Sequence, residues 1–144
     1  MEKDVIISIK GVQRYENADP DTMELVTAGR LEREGNSYTL SYQESELTGL
    51  EGTLTTFQIE PERITLMRVG EFNSQMVFQE GRRHMSMYNT PYGAMTIGVN
   101  TRHLLAELDD QGGEIEIDYA IEIDHSVAGR NTFQINVKEA EGAA

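Results

Sequence analysis

The residues of this sequence that could carry out acid–base chemistry are few, and they form no recognised motif. Glu44 and Glu46 are two residues apart on an expected strand, so their carboxylates lie on the same face. Such a pair supports acid–base catalysis when burial drives the two pKa values apart, and it can also bind a hard cation. Because the chain contains 25 Asp and Glu residues, we expect both side chains to be solvated instead. Pairing of one of them with Arg68 or Arg83 is a further alternative.

A second candidate is the segment in which His84, Ser86 and Tyr88 alternate with Met85 and Met87. On a strand, the three polar residues share one face and the two Met residues share the other. One interpretation places His84 and Tyr88 in a polar lining inside a barrel. The interpretation that we favour makes them a solvent-exposed face and packs the Met face into the core.

Several catalytic and metal-binding chemistries are excluded by the residue types that are missing. The chain has no Cys, which excludes disulfides, thiolate catalysis, iron–sulfur clusters and Cys-based zinc sites. Its three His residues lack zinc-motif spacing, and neither Gly-x-Ser-x-Gly nor a Gly-rich phosphate loop is present. We therefore expect no metal, no cofactor and no catalytic residue, in a protein that is not an enzyme. An acid–base enzyme using Glu44, Glu46 and His84 stays open as an alternative.

Other polar residues fall at expected turns. Asn73 and Gln75 open a strand, and Arg130 follows Gly129, which are positions where polar side chains commonly satisfy backbone groups. The same residues could instead converge on a ligand at one mouth of a barrel. Taken over the whole chain, the candidate ligand-binding residues are Arg68, His84, Tyr88, Arg130, Glu44, Glu46, Asn73 and Gln75.

The chain has seven Met residues, several of them in the central expected strands. Met fills irregular apolar space, and it also lines adaptable pockets. We expect Met67, Met76, Met85, Met87 and Met95 to fill the core. Alternatively, they line one cavity together with Phe57 and Phe78 and hold a flexible apolar ligand.

The overall charge excludes some partners. Twelve Lys and Arg against 25 Asp and Glu give a net charge of −13, whereas nucleic-acid phosphates and anionic lipids both require a basic surface. No apolar run approaches the roughly 18–20 residues that span a bilayer, and the N-terminal segment lacks the apolar core of a signal peptide. We therefore expect a cytoplasmic protein with no nucleic-acid or membrane partner, and the sequence indicates no particular oligomeric state.

The elements that must position these residues are strands. In Glu114–Asp124, every odd position is apolar and every even position except Ala120 is acidic. On a helix the carboxylates would spread around the whole cylinder, whereas on a strand they all face water. The segment is predicted to be a strand with one wet face.

The same two-residue period recurs along the chain and predicts about ten or eleven strands joined by short turns. Besides three strands before residue 44, the expected strands are Thr53–Glu60, Arg63–Val69, Ser74–Gln79, Arg83–Asn89, Gly93–Asn100, His103–Leu108, Glu114–Asp124 and Asn131–Lys138. Such spacing favours an all-β antiparallel meander closed into a barrel, with a two-sheet sandwich as the alternative. We expect one domain over residues 1–139, a disordered tail at 140–144 and a mobile loop at Asn17–Thr22.

Short blocks distributed over nearly the whole chain resemble a known family. They are Asp4–Gly11, Tyr42–Gly49, Asn73–Phe78, Thr90–Gly93, Gly98–Thr101 and Ala128–Asn131. In these blocks the chain resembles the YwiB-like family, small bacterial proteins of uncharacterised function with a calycin-type, lipocalin-like β-barrel. The resemblance implies that fold and implies no reaction.

Two functional hypotheses follow besides the enzyme alternative. The leading one is a non-enzymatic barrel that binds a small, partly apolar molecule through Met and Phe side chains, with a polar or anionic group oriented by charged and polar residues. Those orienting residues are Arg68, His84, Tyr88 and Arg130. The alternative is a protein-interaction module whose acidic strand face recognises a basic protein partner.

Overall fold

The computed structural model describes residues 2–15, 19–44, 51–70, 73–90, 93–123 and 126–140, with the backbone alone at 87–90. Glu46, residues 17–18 of the predicted loop and tail residues 141–144 lie outside the described residues. Ten strands follow one another: β1 (Glu2–Arg14), β2 (Asp21–Glu34), β3 (Ser37–Gln43), β4 (Leu54–Glu60), β5 (Arg63–Val69), β6 (Ser74–Phe78), β7 (Arg83–Thr90), β8 (Gly93–Asp109), β9 (Gly112–Ile123) and β10 (Ser126–Glu139). No described segment is a helix that could cross a membrane.

The strands form one antiparallel sheet that closes on itself. Each strand pairs with the next along the chain, and β1 pairs with β10 as well as with β2. The pairing between β6 and β7 is the shortest of the sheet, because among the described residues only Ser74 and Tyr88 pair there. This architecture confirms the predicted meander barrel rather than the two-sheet sandwich.

The barrel interior is filled by the alternate side chains that the sequence pattern predicted. On β9, Ile115, Ile117 and Tyr119 are buried while the intervening acids lie on the outer face. On β1, the odd-numbered apolar residues, such as Ile7, are buried in the same way. Burial of apolar surface contributes roughly 25 cal/mol per Å², so this inner face provides most of the stability.

The predicted break between two strands after Asn100 was wrong. Gly93–Asn100 and His103–Leu108 are one continuous strand, β8, whose pairing with β9 shifts register between Thr101 and His103. A side chain from the β6–β7 turn supports the irregularity, because the Glu80 carboxylate accepts the Leu104 N–H at 3.1 Å. An irregularity of this kind bends a strand without ending it.

The facing of β7 is the reverse of the one we favoured. Met85 is 60% exposed, whereas Ser86 is only 7% exposed and pairs with the buried Ile97 of β8. His84 lies on the inner face with Ser86, opposite Val99. The side chains of His84 and Ser86 therefore point into the barrel.

The connections between strands alternate between the two ends of the barrel, which are here called the closed end and the open end. At the closed end, successive strands are joined by short turns around 35–36, 61–62, 79–82 and 110–111. At the open end lie the connections β1–β2, β3–β4, β5–β6, β7–β8 and β9–β10. The candidate site lies inside the open end.

Candidate ligand cavity

A cavity of about 480 Å³ lies inside the open end of the barrel. Most of its lining is apolar and comes from strands on opposite sides of the barrel. The lining includes the side chains of Met23, Leu66, Arg68, Met76, Met95, Ile97, Tyr119 and Asn131. The volume falls within the range of about 300–1,000 Å³ that is typical of small-molecule sites.

The floor of the cavity is made by the last fully packed layer of the core. Leu66 pairs with Met76 across β5 and β6, and both side chains are buried. Tyr119 lies between Phe78 and Phe133, with ring centroids 4.7 and 5.9 Å away and tilted planes. Tilted aromatic packing of this kind holds the rings in place, so the floor is rigid.

The next layer of inward-facing residues, toward the open end, is a row of polar residues. Tyr42, Thr55, Arg68 and Ser74 are direct cross-strand neighbours on β3, β4, β5 and β6. Neighbours of this type have Cβ atoms only about 4.5–5.5 Å apart, so their side chains interact. Within this polar row, Arg68 is the residue that reaches the cavity.

Glu44 completes the polar row from the end of β3. It is only 7% exposed, and Thr55 Oγ1 donates a hydrogen bond of 2.7 Å to its Oε1. The peptide N–H of Glu44 also donates to the Thr53 carbonyl at 2.9 Å. The expectation of a solvated Glu44 was therefore wrong, because the chain continues the inward alternation beyond Tyr42.

Tyr42 shows how strongly this group of residues interacts. Burial of its side chain raises the pKa of the Tyr42 hydroxyl, and the nearby Glu44 carboxylate raises it further, while Arg68 acts in the opposite direction. The hydroxyl is hydrogen-bonded to Glu44. Tyr42 thus stays neutral under ordinary conditions and donates to Glu44.

Arg68 has an unsatisfied donor inside the barrel. Its Nε is buried and has no hydrogen-bond partner in the described part of the chain. A buried guanidinium donor without an acceptor is costly, and a carboxylate, sulfonate or phosphate satisfies it with good geometry. The cavity thus combines mostly apolar walls with the Arg68 guanidinium, which has spare hydrogen-bonding capacity, and the acidic Asp21 also lines it.

Asn131 is a cavity residue that the predicted ligand-binding set does not contain. It is 8% exposed, lies on β10 and pairs with Tyr119 of β9. Because β10 is five strands from β5 in the closed ring, Asn131 faces Arg68 across the barrel. Its inward position follows the alternation of β10, which could have indicated it.

The remaining candidate residues are dispersed. Asn73 has the predicted turn role, since its Oδ1 accepts the Gly70 N–H at 3.0 Å. Gln75 is exposed on β6, and Arg130 is exposed on the outer face of β10. Tyr88 lies on β7 opposite Ser74, with only its backbone described.

His84 lies deeper in the barrel, and its Nε2 is 3.0 Å from Gln79 Oε1 near the closed end. It precedes Tyr88 by four residues on β7, which corresponds to about 13 Å along a strand. The structure therefore brings Glu44 and Arg68 into one polar row and does not bring His84 to it.

The acidic stripe of β9 is on the outer surface and is partly neutralised there. Arg83 Nε lies 2.7 Å from Glu122, and His103 lies 3.3 Å from Glu80 and 3.8 Å from Glu116. In the described ranges, no three His, Asp or Glu side chains are grouped so as to hold a metal ion.

These features define the class of the protein as a small antiparallel meander barrel with a cavity at one end. The chain belongs to the family described as Domain of unknown function (DUF1934), whose model matches residues 7–135. It is similar in structure to the ywiB protein from Bacillus subtilis, with a TM-score of 0.85 and 20% identity over 96% of this chain and 93% of that chain. This likeness confirms the predicted resemblance and the fold alone. No curated protein matches the chain.

Proposed function

We propose that this protein binds a small amphipathic anion inside the open end of its barrel and does so without catalysing a reaction. The observation that carries the proposal is a cavity of about 480 Å³ with apolar walls, into which Arg68 brings a guanidinium whose Nε has no partner among the described residues. The apolar part of the ligand contacts Leu66 and Met76. Its anionic group accepts hydrogen bonds from Arg68.

Two further features support binding rather than acid–base catalysis. The Tyr42 hydroxyl and Thr55 Oγ1 are hydrogen-bonded to Glu44. These hydrogen bonds give the Glu44 carboxylate a structural role in the polar row that contains Arg68. The other proposed acid–base group, His84, is hydrogen-bonded to Gln79 near the closed end. General acid–base catalysis needs both groups within hydrogen-bonding reach of one substrate, and this separation does not favour it.

The test uses a dye and two displacing compounds with the same tail. Anilinonaphthalene sulfonate is an apolar anion that fluoresces in apolar surroundings, and dodecanoate and dodecanol differ only in the charged group. We expect the dye to bind, and dodecanoate to displace it at lower concentration than dodecanol does. Arg68→Met should weaken dodecanoate binding by about tenfold or more and leave dodecanol unchanged, since a hydrogen bond to a charged group contributes about 1.5–3 kcal/mol.

Arg63→Met is the matched control, because Arg63 lies at the closed end and pairs with Glu60 at 3.3 Å. It should leave all three affinities unchanged. An Arg68 variant that binds dodecanoate as the wild type does would refute the role of Arg68. Absence of dye binding to the folded wild type would refute the cavity as a site for amphipathic anions.

A further inference from the structure

The outer wall at the open end carries a pair of arginines that the cavity does not use. Arg14 of β1 and Arg130 of β10 are direct cross-strand partners, and both are exposed on the outer face. Like charges directly opposite on neighbouring strands destabilise a sheet. Neither guanidinium forms an ion pair with any described residue, although the chain carries 25 acidic residues.

The two arginines border a concave surface rather than a flat one. A groove of about 340 Å³ lies between them and is completed by Tyr15 and by residues 127–129. The Tyr15 ring packs over Gly129, where an added Cβ would lie 3.2 Å from Tyr15 Cε1. The Tyr15 hydroxyl donates to Gln13 Oε1 at 3.0 Å, which holds the ring as one wall of the groove.

The floor of the groove contains a β-bulge. The register between β9 and β10 shifts between Val127 and Gly129, so Ala128 has no partner in that ladder. The ladder between β10 and β1 ends at Arg130 within the described residues. A bulge places its extra residue outside the ladder and redirects neighbouring groups, so the backbone at the bottom of the groove is irregular.

We infer that this groove is a binding site for a phosphate group, either free phosphate or a phosphate monoester. Two guanidinium groups suit a tetrahedral dianion, which offers several acceptor oxygens and relieves the repulsion between the arginines. The Tyr15 ring, which also lines the groove, provides an apolar contact for the organic part of an ester. The two arginines lie on the opposite face of the barrel wall from the cavity residues, and the site goes beyond the function proposed above.

On the described part of β9, few acidic side chains lie beside the two arginines. On the outer face of this strand, Asp118 and Glu122 lie diagonally from Arg130, whose direct partner is Ala120. Glu122 is paired with Arg83 at 2.7 Å. Among the described residues of β9 this leaves Asp118 against the two arginines.

The test is a titration of ¹⁵N-labelled protein followed by amide chemical shifts, at constant ionic strength maintained with sodium chloride. Inorganic phosphate and phenyl phosphate are the two probes. We expect saturable shifts at Ala128 and Gly129, with phenyl phosphate binding more tightly than inorganic phosphate. Tyr15→Ala should abolish that difference, and equal affinities in the wild type would show that inorganic phosphate is the better description of the ligand.

Arg14→Gln and Arg130→Gln should each weaken phosphate binding by about tenfold, as expected for loss of one charge-assisted hydrogen-bonding group. Both should also leave the thermal stability in chloride unchanged or slightly raised, because a repulsive pair is removed. Arg102→Gln, another exposed arginine, and Arg68→Met in the cavity are controls that should bind phosphate normally. Shifts that do not saturate, or that persist in both Arg14 and Arg130 variants, would overturn the site.

Discussion

The buried hydroxyl of Tyr42 links the stability of the barrel to alkaline pH. Burial, together with the Glu44 carboxylate, raises its pKa above the ordinary value of 10.0. The unfolded chain therefore loses this proton before the folded protein does. The stabilising contribution is complete below about pH 10 and is lost as the pH rises from there toward the folded-state pKa.

We expect the free energy of unfolding to fall above pH 10 by up to about 1.4 kcal/mol per pH unit from this one group. Urea unfolding at several pH values between 8 and 11 measures it. Tyr42→Phe should reduce the slope above pH 10, while lowering stability at neutral pH by about 1–3 kcal/mol because Glu44 loses a donor. Tyr15→Phe, at a half-exposed position, is the control, and a Tyr42→Phe slope equal to the wild-type slope would contradict the prediction.

At the residue scale, the sequence identified the charged members of the site better than its apolar and amide members. Arg68 and Glu44 were candidates because charged residues at strand positions are noticeable in any sequence. Asn131 was not identified because a polar residue close to a glycine also fits a turn. Met23 was not identified because its strand approaches the cavity only through barrel closure. Cavities depend on which strands face each other, and local spacing does not contain that information.

At the scale of elements, periodicity predicted reliably which segments are strands. It predicted less reliably which face of each strand is buried. The strict alternation of β9 indicated its buried face because five acids marked the other side. On β7 the alternation is between Met and polar residues, so either face could be buried, and a shift of one residue exchanges the two. The irregularity in β8 was missed because it depends on a carboxylate from another turn, that of Glu80.

The glycines that begin β9 illustrate a constraint that belongs to a pair of strands. The predicted strand begins at Glu114, yet Gly112 and Gly113 already pair with β8 and β10. Gly113 has a φ of 145°, and a Cβ there would lie 1.9 Å from the Glu107 carbonyl oxygen. Only glycine allows the two strands to approach so closely.

Gly113→Ala should therefore lower the free energy of unfolding by about 2–4 kcal/mol, since the backbone of β8 must move. Gly81→Ala is the matched control, because Gly81 also has a positive φ of 74° but nothing lies within 4 Å of an added Cβ. Its expected loss is about 1–2 kcal/mol, from the left-handed conformation alone. Equal losses in urea unfolding would show that the close approach to β8 carries no cost.

At the scale of the whole molecule, the acidic residues outnumber their possible partners. The outer surface carries ion pairs such as Lys3–Glu139, Glu2–Arg30 and Arg33–Asp110. Even if all 12 Lys and Arg were paired, 25 − 12 = 13 acidic side chains would remain without a cationic partner. Some of these lie directly opposite one another, such as Glu107 and Glu114 across β8 and β9.

Repulsion should therefore outweigh the exposed ion pairs, each of which contributes only about 0–1 kcal/mol. Because salt screens exposed charges over about 10 Å at 0.1 M, we expect the free energy of unfolding to rise by about 1–2 kcal/mol between 0.02 and 0.5 M sodium chloride. Urea is the suitable denaturant, since it adds no charge. The Glu114→Gln variant removes one repulsive cross-strand pair, so it should be more stable at low salt and gain less from added salt. A wild-type stability that falls with salt would mean that the ion pairs dominate the surface.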